Sequence, residues 1–134
     1  MKRFLSQNYP TLTVVAAILY LSLAKISVDE EIPRLIPHLD KIAHCLMYLG
    51  LVSVFCFDKY RRPGADIKRG KMLLQGWILA ILLGGAMELA QPLLTDYRSG
   101  DWSDMAANVA GATLGLLSGR YLAKPIADRI GRYF

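Results

Sequence analysis

Four long apolar runs constrain this chain more than any other feature: Thr11–Ala24, Ile42–Phe57, Met72–Leu94 and Met105–Ala123. A membrane-crossing helix needs about 20 largely apolar residues, within a range of roughly 17 to 25. The third and fourth runs meet that length directly, and the first two meet it with a few flanking residues. Helices are therefore expected over 9–26, 38–57, 72–92 and 103–123. A soluble bundle would keep a polar face on each helix, and "GWILAILLGGAM" (76–87) has none. With 134 residues and no linker, the expectation is one all-α domain, an integral membrane bundle of four transmembrane helices.

Lys2 and Arg3 followed by Ser22-Leu23-Ala24 have the outline of a cleaved signal peptide, but Tyr20 and the later runs favour a retained first helix. Cys45 and Cys56 are the only cysteines. Eleven helical residues separate them by about 16 Å, too far for a disulfide. They read as apolar filler.

The basic residues are divided unevenly among the connections. Twelve Lys and Arg fall at the N-terminus (Lys2, Arg3), in the 58–71 loop and at the C-terminal end, against four at Lys25, Arg34, Lys41 and Arg98. The positive-inside rule then puts both termini and the 58–71 loop in the cytoplasm. "DKYRRPGADIKRGK" (58–71) lacks interleaved aromatics, so it reads as an orientation signal with affinity for anionic lipid, and no nucleic-acid partner is expected. In the tail, Leu122, Ile126 and Ile130 recur four apart among basic residues, the pattern of an interfacial amphipathic segment.

That orientation gathers the polar residues. Asp40, Lys41 and His44 open the second helix at its outer end, and Glu88 and Gln91 close the third there. Arg98, Asp101 and Asp104 occupy the outer loop, and Asn108 starts the fourth helix going inward. Every membrane-embedded ionisable residue is thus expected on one side. Asp40, His44 and Tyr48 share a face at four-residue spacing, and Asp104, Asn108, Gly111, Gly115 and Gly119 form one stripe along the fourth helix. Such small residues let helices approach closely, within the chain or between two copies. Pro92 cannot donate to the carbonyl of Glu88, so the third helix is expected to end or kink there.

Two strings carry a resemblance: "DKIAHCLMYLGL" (40–51) and "ELAQPLLTDYRSGDWSDMAANVAGATLG" (88–115). In pattern form they are D-K-x-x-H, then E-x-x-Q-x6-R-x-x-D-x-x-D-x3-N-x-x-G-x3-G. In this order, across a basic loop, they resemble the VanZ-like membrane proteins over about residues 11 to 122. The resemblance implies that Asp40, Lys41, His44, Glu88, Gln91, Arg98, Asp101, Asp104, Asn108, Gly111 and Gly115 occupy motif positions. Cys45 departs from the pattern, where an aromatic commonly follows the histidine. A bacterial cytoplasmic membrane is implied, with the site on its extracytoplasmic face. The namesake is associated with resistance to the glycopeptide antibiotic teicoplanin.

Three readings of the polar cluster stay open. It binds an envelope lipid, a lipoglycopeptide or a partner; or it is the site of an enzyme acting on a lipid-linked envelope precursor, with His44 as acid or base, Asp40 orienting it and Glu88 assisting; or it is an architectural network. Asp101 or Ser103 capping the fourth helix, and Asp104 favouring its dipole, are the bland accounts of those residues. A divalent metal held by His44, Glu88 and the aspartates stays open as an alternative, but no ligand spacing demands one, and no cofactor is expected. Single cysteines at Ser99 and Gly64 are expected to label from opposite faces of the membrane; labelling from the same face overturns the topology.

Overall fold

The computed structural model describes residues 2–25, 35–62 and 67–130. Its helices are α1 (Lys2–Leu23), α2 (Leu39–Tyr60), α3 (Arg69–Leu94), α4 (Trp102–Tyr121) and α5 (Ala123–Ile130), and there is no strand among the described residues. The acids at 29–31, Arg34, and the aromatic end of the tail at 133–134 lie outside the described residues. By length and composition, α2 and α3 can cross a membrane. Large apolar side chains are exposed on all four long helices, among them Leu19, Leu46, Leu82 and Leu117. The interior, by contrast, holds glycine, alanine and several polar groups, including His44, Gln91 and Asn108.

Helix α2 sits at the centre and packs against α1, α3, α4 and α5. Its closest partner is α4, which runs parallel to it. A methyl group at Gly111 would strike the carbonyl oxygen of Cys45; one at Gly115 would lie 2.7 Å from Val52 Cβ, and one at Gly119 2.6 Å from Cys56 Sγ. The glycine stripe is therefore filled by α2 of the same chain. The two cysteines, both free, are part of that seam.

Helix α1 begins well before the expected residue 9, because Pro10 is accommodated inside the helix. Proline has no N–H, so the carbonyl of Ser6 loses its helical donor. Arg61 Nη2 fills that vacancy at 3.2 Å. The same segment of α1 meets Asp58, whose Oδ2 accepts from Thr11 N at 2.9 Å and Thr11 Oγ1 at 2.6 Å, while Arg61 Nε donates to Oδ1 at 2.9 Å. Asp58 is fully buried.

This corrects the expectation that every embedded ionisable residue lies at one end, since Asp58 lies near the opposite end of α2 from His44. The physical reason is that α2 continues to Tyr60 rather than 57, which carries Asp58 into the bundle, where three donors compensate its burial.

Pro92 likewise does not end α3 at once: the helix runs on to Leu94 and closes with Thr95 N donating to Gln91 O at 2.9 Å. The freed carbonyl of Glu88 is instead covered by the backbone of Gly100, where a Cβ would collide with it. In α5, Ala123 and Ala127 are buried, while Ile126 and Ile130, with Leu122 just before the helix, are exposed. The small face docks on the bundle and the large apolar face is left outward.

Gly111→Ala is expected to lower the apparent melting temperature of the detergent-solubilised protein by pushing α2 and α4 apart, at a cost of about 1–3 kcal/mol. Gly50→Ala, with nothing within 4 Å of the added carbon, is expected to be neutral or to gain up to about 1 kcal/mol. Equal losses in both variants would contradict the close-packed seam.

Candidate functional site

At the end of the bundle where α2 and α4 begin and α3 ends, the motif residues meet around a cleft of about 870 Å³. Its lining combines apolar residues, among them Leu21, Ile36, Leu39, Leu46 and Met47, with polar ones, His44, Gln91, Arg98, Asp101 and Asp104. His38 enters α2 in the left-handed region at φ 60, the only such non-glycine residue among those described, and it too borders the cleft.

The polar residues at this end of the bundle form two clusters, each reaching from the cleft lining into the bundle. In the first, Lys41 Nζ lies 3.0 Å from Asp40 Oδ2, 3.0 Å from Asp104 Oδ1 and 3.6 Å from Asp101 Oδ2. Lys41 thus ties α2 to the start of α4 and neutralises carboxylates from both. Asp101 also caps α4: its Oδ1 accepts from Ser103 N at 2.9 Å and its Oδ2 from Ser103 Oγ at 2.6 Å. Those two bonds, aided by Lys41, hold its carboxyl below the usual carboxylate range. The capping account is correct for Asp101, and the residue borders the cleft as well.

In the second cluster, Glu88 is only 11% exposed and faces His44, with Nδ1 and Oε1 separated by 3.7 Å. Asn108 Nδ2 donates to Glu88 Oε1 at 3.4 Å, and Asp101 N donates to Oε2 at 3.1 Å. The carboxylate beside His44 is therefore Glu88, whereas Asp40 turns to Lys41. Three buried atoms here have no hydrogen-bond partner: His44 Nδ1, Asn108 Oδ1 and Tyr48 Oη. Asn108 and Tyr48 pack together over Gly84, where a side chain would crowd both. Buried polar atoms are usually paired, so three open ones in one place make this a candidate site.

Arg98 lines the cleft from the loop before α4 and is half-buried. Among the described residues it forms neither an ion pair nor a hydrogen bond; Lys41 takes the aspartates instead. Gln91 is buried and donates to the carbonyl of Ser22 at 3.2 Å. It joins α3 to the end of α1 while forming part of the cleft wall.

The structure therefore brings Asp40, Lys41, His44, Glu88, Gln91, Arg98, Asp101, Asp104 and Asn108 to one end of the bundle. Sequence reasoning did not single out Tyr97, whose hydroxyl donates to the carbonyl of Leu23 and whose ring lies 5.7 Å from Lys25 Nζ. Tyrosine beside the motif arginine was the available signal, because it is the only aromatic between Pro92 and Arg98. His44, Glu88 and Asp104 each place one potential ligand atom within 4.8 Å of the other two, so these three could hold a metal.

Lys41→Met is expected to destabilise the protein by stranding Asp104, and the double variant Lys41→Met/Asp104→Asn is expected to lose less than the sum of the single losses. Thermal unfolding of the four proteins measures that coupling. Strict additivity would mean that the pair does not interact in solution.

Comparison with curated proteins and with solved structures found no match. A family model described as VanZ/LLP1 does match, over residues 3–123, a span that contains every residue lining the cleft. With nearly the whole chain so covered, the protein belongs to the VanZ/LLP1 family.

Proposed function

We propose that this is a four-span protein of the bacterial cytoplasmic membrane, with both termini inside, whose extracytoplasmic cleft binds the anionic polar head of an envelope amphiphile. Three observations support that placement: outward apolar side chains on all four long helices, twelve basic residues set against four, and an α1 tied into the bundle through Thr11 and Ser22. In lipid, such polar ties have little water to compete with them.

The observation that carries the ligand class is Arg98. An arginine that borders a cleft holding several carboxylates yet pairs with none of them is a free two-pronged donor for phosphate or carboxylate. The apolar part of the lining, with Leu21, Leu39, Leu46 and Met47, suits an acyl or prenyl chain lying against the helices. A lipid, a lipid-linked envelope precursor and a lipoglycopeptide such as teicoplanin all combine these two parts. Sequestering such a molecule at the membrane surface would alter drug access without any bond being broken.

A second reading is favoured by one feature. Buried His44 has its Nδ1 open and Glu88 at 3.7 Å, the arrangement of an acid–base residue with a carboxylate neighbour. In that case the same cleft would act on a lipid-linked precursor.

Membrane insertion being confirmed first, Arg98→Ala and Arg98→Lys are to be compared with His44→Ala for binding of an anionic amphiphile, envelope-lipid profile and teicoplanin susceptibility. Binding is expected to fall tenfold or more in Arg98→Ala, as loss of a charge-assisted hydrogen bond worth about 1.5–3 kcal/mol requires. Arg98→Lys is expected to recover only part of it. The lipid profile is expected to stay unchanged in every variant. An accumulated precursor in His44→Ala would establish the enzymatic reading instead, and unaltered affinity in Arg98→Ala would remove the anion-binding role.

A further inference from the structure

We infer that His44, Glu88 and Asp104 form a divalent transition-metal site at the floor of the cleft, with Lys41 as the resident cation that the metal ion competes against. Charge inventory is the starting point. The cleft end gathers four carboxylates, Asp40, Glu88, Asp101 and Asp104, around the two cations Lys41 and Arg98. Lys41 is committed to the three aspartates and Arg98 to none of the acids, so among the described residues no lysine or arginine pairs with Glu88. A carboxylate only 11% exposed is costly to hold without a compensating charge.

His44 supplies the independent observation. Its side chain is 7% exposed, and Nδ1 has no hydrogen-bond partner, facing Glu88 Oε1 at 3.7 Å. That gap is too long for a hydrogen bond. It is close to the separation of two ligands of one ion, since bonds of about 2.0–2.2 Å place ligand atoms roughly 3.4 Å apart in a tetrahedral site. The Asp104 oxygen completes a set whose members all lie within 4.8 Å of one another, so a shift of about an ångström or less brings the three onto one centre. Glu88 is also held in place for this role, because Asn108 Nδ2 and Asp101 N fix one oxygen each.

The donor set selects the ion class. One imidazole nitrogen with two carboxylates suits Zn²⁺ or Mn²⁺; Mg²⁺ and Ca²⁺ favour all-oxygen shells. Lys41, at 3.0 Å from Asp104 Oδ1, holds that ligand while the metal is absent and must release it when the metal binds. This inference rests on the amphiphile-binding reading for its purpose: the ion would set a second positive centre in the cleft with Arg98, and an acidic head would lie between the two.

The test uses the full-length protein, stripped with EDTA and returned to lipid nanodiscs, titrated with Zn²⁺ by calorimetry and with Mn²⁺ by electron paramagnetic resonance. One ion per chain is expected, with Kd raised tenfold or more in Glu88→Gln, His44→Ala and Asp104→Asn, unchanged in Asp96→Asn and lowered in Lys41→Met. Bound Mn²⁺ in the wild type is expected to show electron-spin-echo modulation from one imidazole nitrogen, which needs no variant to fold. Absence of stoichiometric binding, absence of that nitrogen signal, or equal affinity in Glu88→Gln and wild type would each overturn the site. Amphiphile binding is then measured with and without EDTA. Metal bound without any amphiphile affinity upholds the site and rejects the functional reading; amphiphile affinity without metal binding does the reverse.

Discussion

The seam between α2 and α4 sets the geometry on which the rest depends. Three glycines at four-residue intervals bring α4 so close that its backbone rests on the Cys45 carbonyl. At that separation Lys41 can reach Asp104 across the interface, and Asn108 can enter the space between α2 and α3 to reach Glu88. Any side chain at Gly111 would wedge the helices apart and stretch those bonds beyond use. In lipid there is little hydrophobic drive between helices, so close van der Waals packing and polar ties supply the association. The small residues and the polar residues of α4 are therefore parts of one device: the former set the distance and the latter use it.

Two prolines show the same economy. Pro10 and Pro92 each leave a carbonyl four residues earlier without its helical donor. At Ser6 the vacancy is filled by Arg61 from α2, and at Glu88 it is the place where Gly100 turns the loop toward α4. Neither break is filled locally. Each is joined to a distant segment, so the prolines serve as docking points between elements rather than as ends of helices.

The sequence made much of this legible, for reasons that differ by residue. Apolar runs located the four long helices to within a few residues at most ends, because run length is a direct physical requirement. The polar cluster was legible because helix order and orientation together bring 40–44, 88–91 and 98–108 to one end. Pairing was not legible. Four-residue spacing pointed to Asp40 as the neighbour of His44, and only the packing of α3 against α2 puts Glu88 there instead. Asp58 was hidden because it begins a basic string that reads as loop, while its main partner, Thr11, lies 47 residues away on a helix thought to start at residue 9. Gln91 looked like a cleft residue and is one, but its hydrogen bond goes to α1, which no local pattern announces.

The parallel course of α2 and α4 has a consequence for biogenesis. Neighbours in the chain pair antiparallel, and a parallel pair has to wait for an intervening helix to return. Here α1 and α2 can already join through Thr11, Asp58 and Arg61 before α3 has left the ribosome. The cleft cannot assemble so early, because His44 meets Glu88 only when α3 arrives, and Lys41, paired until then with Asp40 alone, meets Asp104 only with α4. On the proposed four-span topology, α2 would enter the bilayer before Glu88 and Asp104 are there to meet His44 and Lys41, and the earliest helices would wait on the last one. The cleft end would thus be the final part to be built, and on the proposed topology a pathway that stalls at three helices would yield an anchored chain with no cleft at all.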